Sequence, residues 1–128
     1  MTVSLFAILV IALFYFLQEM KQTIRMVENQ HLPGIIFQQE GLDPKFFSQM
    51  EILIGRDPQN DLQLDDETIS ARHARVFYNG NHWMIEDSQS TNGTFLNGER
   101  ILSPTVLVAH DVVECGKIKI KVAHQPQS

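Results

Sequence analysis

The chain has one cysteine, Cys115, among 128 residues. This excludes an intramolecular disulfide and a thiolate zinc cluster, and it fits a reducing compartment. Five histidines are present, but none has the spacing of a metal-binding motif. Neither metal nor cofactor is expected. Basic residues are also in short supply, with ten Lys and Arg against fifteen Asp and Glu and a formal net charge of −5. Phosphate backbones repel such a chain, so nucleic acid is a poor partner for it. A Gly-x-Ser-x-Gly elbow is missing, as is any alternation of strands and helices to carry one. Ser70 and His73, three apart at a strand end, point in different directions and do not make a hydrolase pair. No enzyme is expected. The length suits one domain with a real core and is too short for two.

Charge is absent from the first 18 residues, which begin MTVSLFAILVIALFYFL. An apolar span of this length is near the lower limit for crossing a bilayer as a helix. A cleaved signal peptide would carry a basic start and a small-residue cleavage site, whereas Phe14-Tyr15-Phe16-Leu17 is bulky. A buried core helix is the other alternative, although the span is apolar on every side. The favoured reading is an uncleaved membrane helix over residues 1–18. Lys21 and Arg25 follow it and no basic residue precedes it, so the positive-inside rule places the rest of the chain in the cytoplasm. Residues 19–33 read as a helical stalk, with Met20, Ile24 and Val27 on one face. Pro33-Gly34 ends it.

Beyond Gly34 the period changes to two. Ile35-Ile36-Phe37 reads as a first strand, and Gly41-Leu42-Asp43-Pro44 as a turn. Phe46–Ile54 has apolar residues at alternate positions, with Ile52 and Ile54 on one face. Ala74–Tyr78 alternates again, and Asn79-Gly80 predicts a hairpin leading to Trp83 and Ile85. Lys117–Val122 is the cleanest alternation, with a basic face read as solvated. Residues 124–128 form a polar tail. Short strands divided by Gly, Asn and Pro turns, with no helical pattern after Leu32, argue for an all-β sandwich over residues 34–123. Loops cluster at the two ends of such a fold, where binding residues belong.

Three loops carry the groups that hold a phosphate and the backbone beside it: guanidiniums, a hydroxyl and amides. Gly55-Arg56 follows one strand, Ser70-Ala71-Arg72-His73 precedes another, and Thr91-Asn92-Gly93-Thr94 lies between two more. Each alone is weak; an Asn-Gly pair, for example, is an ordinary hairpin turn. All three in this order, with Asn97-Gly98 behind them, resemble the signature of the forkhead-associated (FHA) domain. The resemblance covers about Leu32 to Val122.

It implies an FHA-type β-sandwich that binds phosphothreonine peptides through loops at one end. By the same resemblance, Arg56, Ser70 and Arg72 match phosphate-binding positions. Thr91, Asn92 and Asn97 match peptide-binding positions. Gly55, His73 and Gly93 match architectural ones. The implied partner is a phosphothreonine-containing protein, a Ser/Thr kinase or its substrate, met at the membrane. An adaptor that binds without phosphate on the same fold is the alternative. One departure stands out: His110-Asp111 occupies the place of a Gly-Asp pair common in the family, which puts the local turn in question.

Overall fold

β-branched and aromatic residues in short alternating runs form strands because one face of each run can be buried. In the computed structural model, which describes residues 4–28 and 33–123, eleven such strands follow one helix. The chain divides into two compact units, Met1–Leu32 and Pro33–Ser128. The expected stalk end before Pro33 and the polar tail at 124–128 lie outside the described residues.

The first unit is helix α1, Leu5–Glu28. Ser4 caps it, its hydroxyl accepting the Ala7 N–H at 3.2 Å. The apolar span and the stalk as far as Glu28 form one continuous helix, since no proline or glycine interrupts them. At 1.5 Å per residue it is about 36 Å long, slightly more than a bilayer's hydrocarbon core. Its Leu5–Arg25 stretch is long and apolar enough to cross a membrane. Side chains such as Phe6 and Leu9 are exposed.

The second unit is a two-sheet sandwich. One sheet contains β1 (Ile35–Gln39), β2 (Lys45–Phe47), β7 (Thr94–Leu96), β8 (Glu99–Arg100), β10 (Val112–Cys115) and β11 (Ile118–Ala123). Its order is β2-β1-β11-β10-β7-β8. The other contains β3 (Glu51–Gly55), β4 (Leu62–Gln63), β5 (Ala74–Tyr78), β6 (Trp83–Asp87) and β9 (Thr105–Leu107). Its order is β4-β3-β5-β6-β9, and only β3 with β4 is parallel. The Phe46–Ile54 run is not one strand. It breaks at Ser48-Gln49 and feeds β2 and β3 into different sheets. Between the sheets, Ile52, Ile54, Val76, Ile85 and Val113 are fully buried.

The register fixes what lies at each end. Ile54 pairs with Ala74, and Ala74 with Asp87. In the other sheet Thr94 pairs with Cys115, and Cys115 with Ile118. These residues mark one end of the sandwich. Tyr78 with Trp83, and Leu96 with Val113, run toward the opposite end. The Asn97-Gly98 turn sits there with φ of 51° and 87°, the left-handed pair that a two-residue hairpin needs. His110 makes its turn without glycine. It adopts φ 73°, and its N–H donates to the Val122 carbonyl at 2.7 Å.

Candidate functional site

Gly55 closes β3 against the segment that carries Ser70. The Arg56 N–H donates to the Ser70 carbonyl at 3.0 Å, and the His73 N–H to the Ile54 carbonyl at 2.9 Å. A Cβ on Gly55 would overlap the Ala71 carbonyl oxygen, so only glycine permits this approach. Asn60 ties the same segment down, its amide donating to the Ala71 carbonyl at 2.7 Å. Arg56 and Arg72 are exposed, and among the described residues neither guanidinium has a hydrogen bond or ion pair.

His73 is fully buried and works as a brace. The Ser70 N–H donates to His73 Nδ1 at 3.1 Å. Nδ1 therefore carries no proton, and Nε2–H donates to the Gly93 carbonyl at 2.8 Å. One imidazole thus joins the Ser70 loop to the Asn92-Gly93 loop. Gly93 itself takes φ 86°, with the Arg100 guanidinium packed where a Cβ would stand.

Two further bonds set the spacing of the loops. The Thr91 N–H donates to Ser70 Oγ at 3.0 Å. The Asn92 amide donates to the Thr68 carbonyl at 2.7 Å. Ser70 thus accepts a bond from the protein and retains its own hydrogen to donate. Among the described residues the Asn92 side-chain oxygen has no donor, so it can accept a backbone N–H from a bound chain.

Two partly buried carboxylates hold this frame. Asp87 accepts the Ser90 hydroxyl at 2.5 Å and the Thr94 hydroxyl at 2.7 Å. Burial pushes the Asp87 carboxyl up, but hydrogen bonds from Ser90 and Thr94 outweigh it and hold the group below its ordinary value. Asp66 accepts the Thr68 hydroxyl at 2.5 Å and its N–H at 2.9 Å. Those bonds, with Lys117 at 3.4 Å, hold the Asp66 carboxyl below its ordinary value. The Lys117 N–H donates to Thr68 Oγ1 at 3.0 Å, which brings the β10–β11 turn to the site.

Arg56, Ser70, Arg72, Thr91 and Asn92 therefore lie on three loops at one end, fastened by Gly55, His73 and Gly93. Asn97 does not join them. β7 runs from Thr94 at the site end to Leu96, so Asn97 falls at the opposite end. There its amide donates to Asp111 at 2.9 Å and its oxygen accepts the Val112 N–H at 2.9 Å. Asn97 is thus a turn residue set apart from the other residues of the expected peptide-binding group. Sequence reading missed Thr68, Lys117 and Arg100. The spacing Asp66-x-Thr68 signals an Asx turn and was the available clue to the first. Among the described residues no His, Cys, Asp or Glu cluster has a metal-site geometry.

Residues 52–116 match the family model described as the FHA domain. FHA domain-containing protein FhaB of Mycobacterium tuberculosis is 36% identical over 75 residues, 59% of this chain and 48% of that protein. Glycogen accumulation regulator GarA of Mycolicibacterium smegmatis is 39% identical over 74 residues, 58% of this chain and 46% of the relative. The chain thus spans about half the length of these relatives. An FHA domain solved in a structural and functional analysis of phosphothreonine-dependent FHA domain interactions superimposes with a TM-score of 0.68. The identity is 25%, covering 74% of this chain and all of that one. With half of its residues inside the family model and the two-sheet fold shared with a solved member, the chain belongs to the FHA-domain family.

Proposed function

We propose that this protein binds phosphothreonine segments of a partner through Arg56, Ser70, Arg72, Thr91 and Asn92 while α1 anchors it in a membrane. FHA domains are phosphothreonine-binding modules, and relatives carry the names of regulators and inhibitors, not enzymes. The observation that carries the reading is the backbone bond that joins Arg56 to Ser70, with a Ser70 hydroxyl that still has its hydrogen to donate and an Arg56 guanidinium that is exposed and, among the described residues, has no partner. A phosphate has nearly two negative charges and three acceptor oxygens, which these groups satisfy. The Asn92 oxygen takes the peptide backbone next to the phosphothreonine, and the Thr91 loop approaches its methyl.

Anchoring rests on the apolar Leu5–Arg25 span. Lys21 and Arg25 on its C-terminal side direct the domain to the cytoplasm. The partner is a Ser/Thr kinase or a kinase substrate brought to the membrane's inner face. A degenerate phosphothreonine library, with phosphoserine and unphosphorylated versions, tests the binding. The reading expects phosphothreonine peptides alone to bind, and Arg56→Ala and Ser70→Ala each to weaken that binding roughly tenfold or more. Equal binding with and without phosphate would leave a phosphate-independent assembly role. Alkaline extraction of membranes tests the anchor, since a peripheral protein would be released.

A further inference from the structure

The carboxylates around the site fall into two groups. Asp66 and Asp87 are occupied by internal hydrogen bonds, and Asp66 also faces Lys117. Asp57, Asp65 and Glu67 are exposed, and among the described residues none has an ion-pair partner. They do not sit on a loose loop. The Leu64 N–H donates to the Gly55 carbonyl at 2.9 Å, the Asp66 N–H to Leu64 at 2.9 Å and the Ile69 N–H to Asp66 at 3.1 Å. The Thr68 carbonyl then accepts the Asn92 amide. Asp65 and Glu67 therefore lie on a backbone fastened to the end of β3 and to the Asn92 loop, five and three residues before Ser70.

Charge balance decides what this rim favours. Arg56, Arg72, Arg100 and Lys117 supply four positive charges, and Asp57, Asp65, Asp66, Glu67 and Asp87 five negative ones. A bound phosphothreonine adds nearly two negative charges. The loaded site is then left with an excess of about three negative charges, and it gains from cations on the peptide itself. We propose that the partner segment carries Lys or Arg close to its phosphothreonine, selected by Asp65 and Glu67. This rests on the phosphothreonine reading of the site and adds the chemistry of the flanking residues.

The test uses the full chain in detergent and three phosphothreonine peptides of one length, with basic, neutral or acidic flanks, at low and high salt. Each has an unphosphorylated twin. Exposed ion pairs contribute modestly, so the basic peptide should bind roughly two- to fivefold tighter than the neutral one per well-placed charge. The acidic peptide should bind weaker than the neutral one, and the differences should shrink at high salt. Glu67→Lys and Asp65→Lys should each reduce or invert the order while leaving the requirement for phosphate intact. If phosphate dependence holds but flank charge has no effect, or the Lys variants leave the order unchanged, the inference fails alone. If none of the peptides depends on phosphate, both it and the site reading fail.

Discussion

Ser70 Oγ accepts the Thr91 backbone N–H at 3.0 Å, which leaves the hydroxyl's own hydrogen available to donate. Replacing Ser70 with Ala removes the donor to the phosphate and the acceptor that spaces the Thr91 loop. A hydrogen bond to a charged group contributes about 1.5–3 kcal/mol. Ser70→Ala should therefore weaken phosphopeptide binding roughly ten- to a hundredfold. The melting temperature should stay close to wild type, because Thr91 is exposed and water can take its N–H. Titration and a thermal melt on the same sample check both halves.

Asn97→Ala should do the reverse. It removes two side-chain bonds that close the β9–β10 turn and places alanine at φ 51°. The expected loss is about 2 kcal/mol of stability, with peptide affinity unchanged. Chemical denaturation paired with a binding titration separates the two effects. A loss of affinity in folded protein would return Asn97 to the peptide site.

Gly55→Ala tests the frame. The added methyl meets the Ala71 carbonyl, a backbone atom that cannot rotate away. Overpacking of this kind costs roughly 1–3 kcal/mol, and it pushes Arg56 and Ser70 apart. Stability and affinity should fall together, in contrast to both variants above.

Acid should loosen the loops through Asp87. Its folded pKa lies below the ordinary 3.8, so its contribution to stability is fully present above that value. It is lost as pH falls through the folded value. Asp87→Asn should flatten this acid limb and lower stability at neutral pH, since Ser90 and Thr94 lose a charged acceptor. Denaturation midpoints measured across pH 3–7 for both proteins would show it.

Burial pushes the Cys115 thiol up to about 12, with Asp87 and Glu114 adding to the effect. The thiolate is the reactive form, so Cys115 should resist aromatic disulfide reagents in native protein. It should react only after denaturant opens the core. Fast labelling without denaturant would mean that β10 opens readily.

The sandwich was legible because its strands announce themselves by period two and its turns by Asn-Gly. Ile52, Ile54 and Val76 lie in the core on the faces their spacing implied. The Arg56 and Ser70 loops could be read because each carries its motif within a few residues. Asn97 stands apart from Asn92 because the three-residue strand β7 separates them, and sequence proximity hides the step from one end of that strand to the other. Thr68 and Lys117 were out of reach for another reason. They are 49 residues apart and meet only where the two sheets stack at one end of the sandwich. His110 filled a glycine position because its N–H bond and a tolerable left-handed φ sufficed there.

Phosphate dependence is the centre of this account, and one paired titration tests it most directly. A single peptide sequence is made twice, with phosphothreonine and with threonine, and each is titrated into the full chain in detergent. Losing about three charge-assisted bonds should cost roughly 4 kcal/mol or more, so the threonine form should bind on the order of a thousandfold more weakly at least. If the two forms of a peptide that binds stay within a fewfold of each other, the Arg56–Ser70 pair is not a phosphate site and the account is wrong.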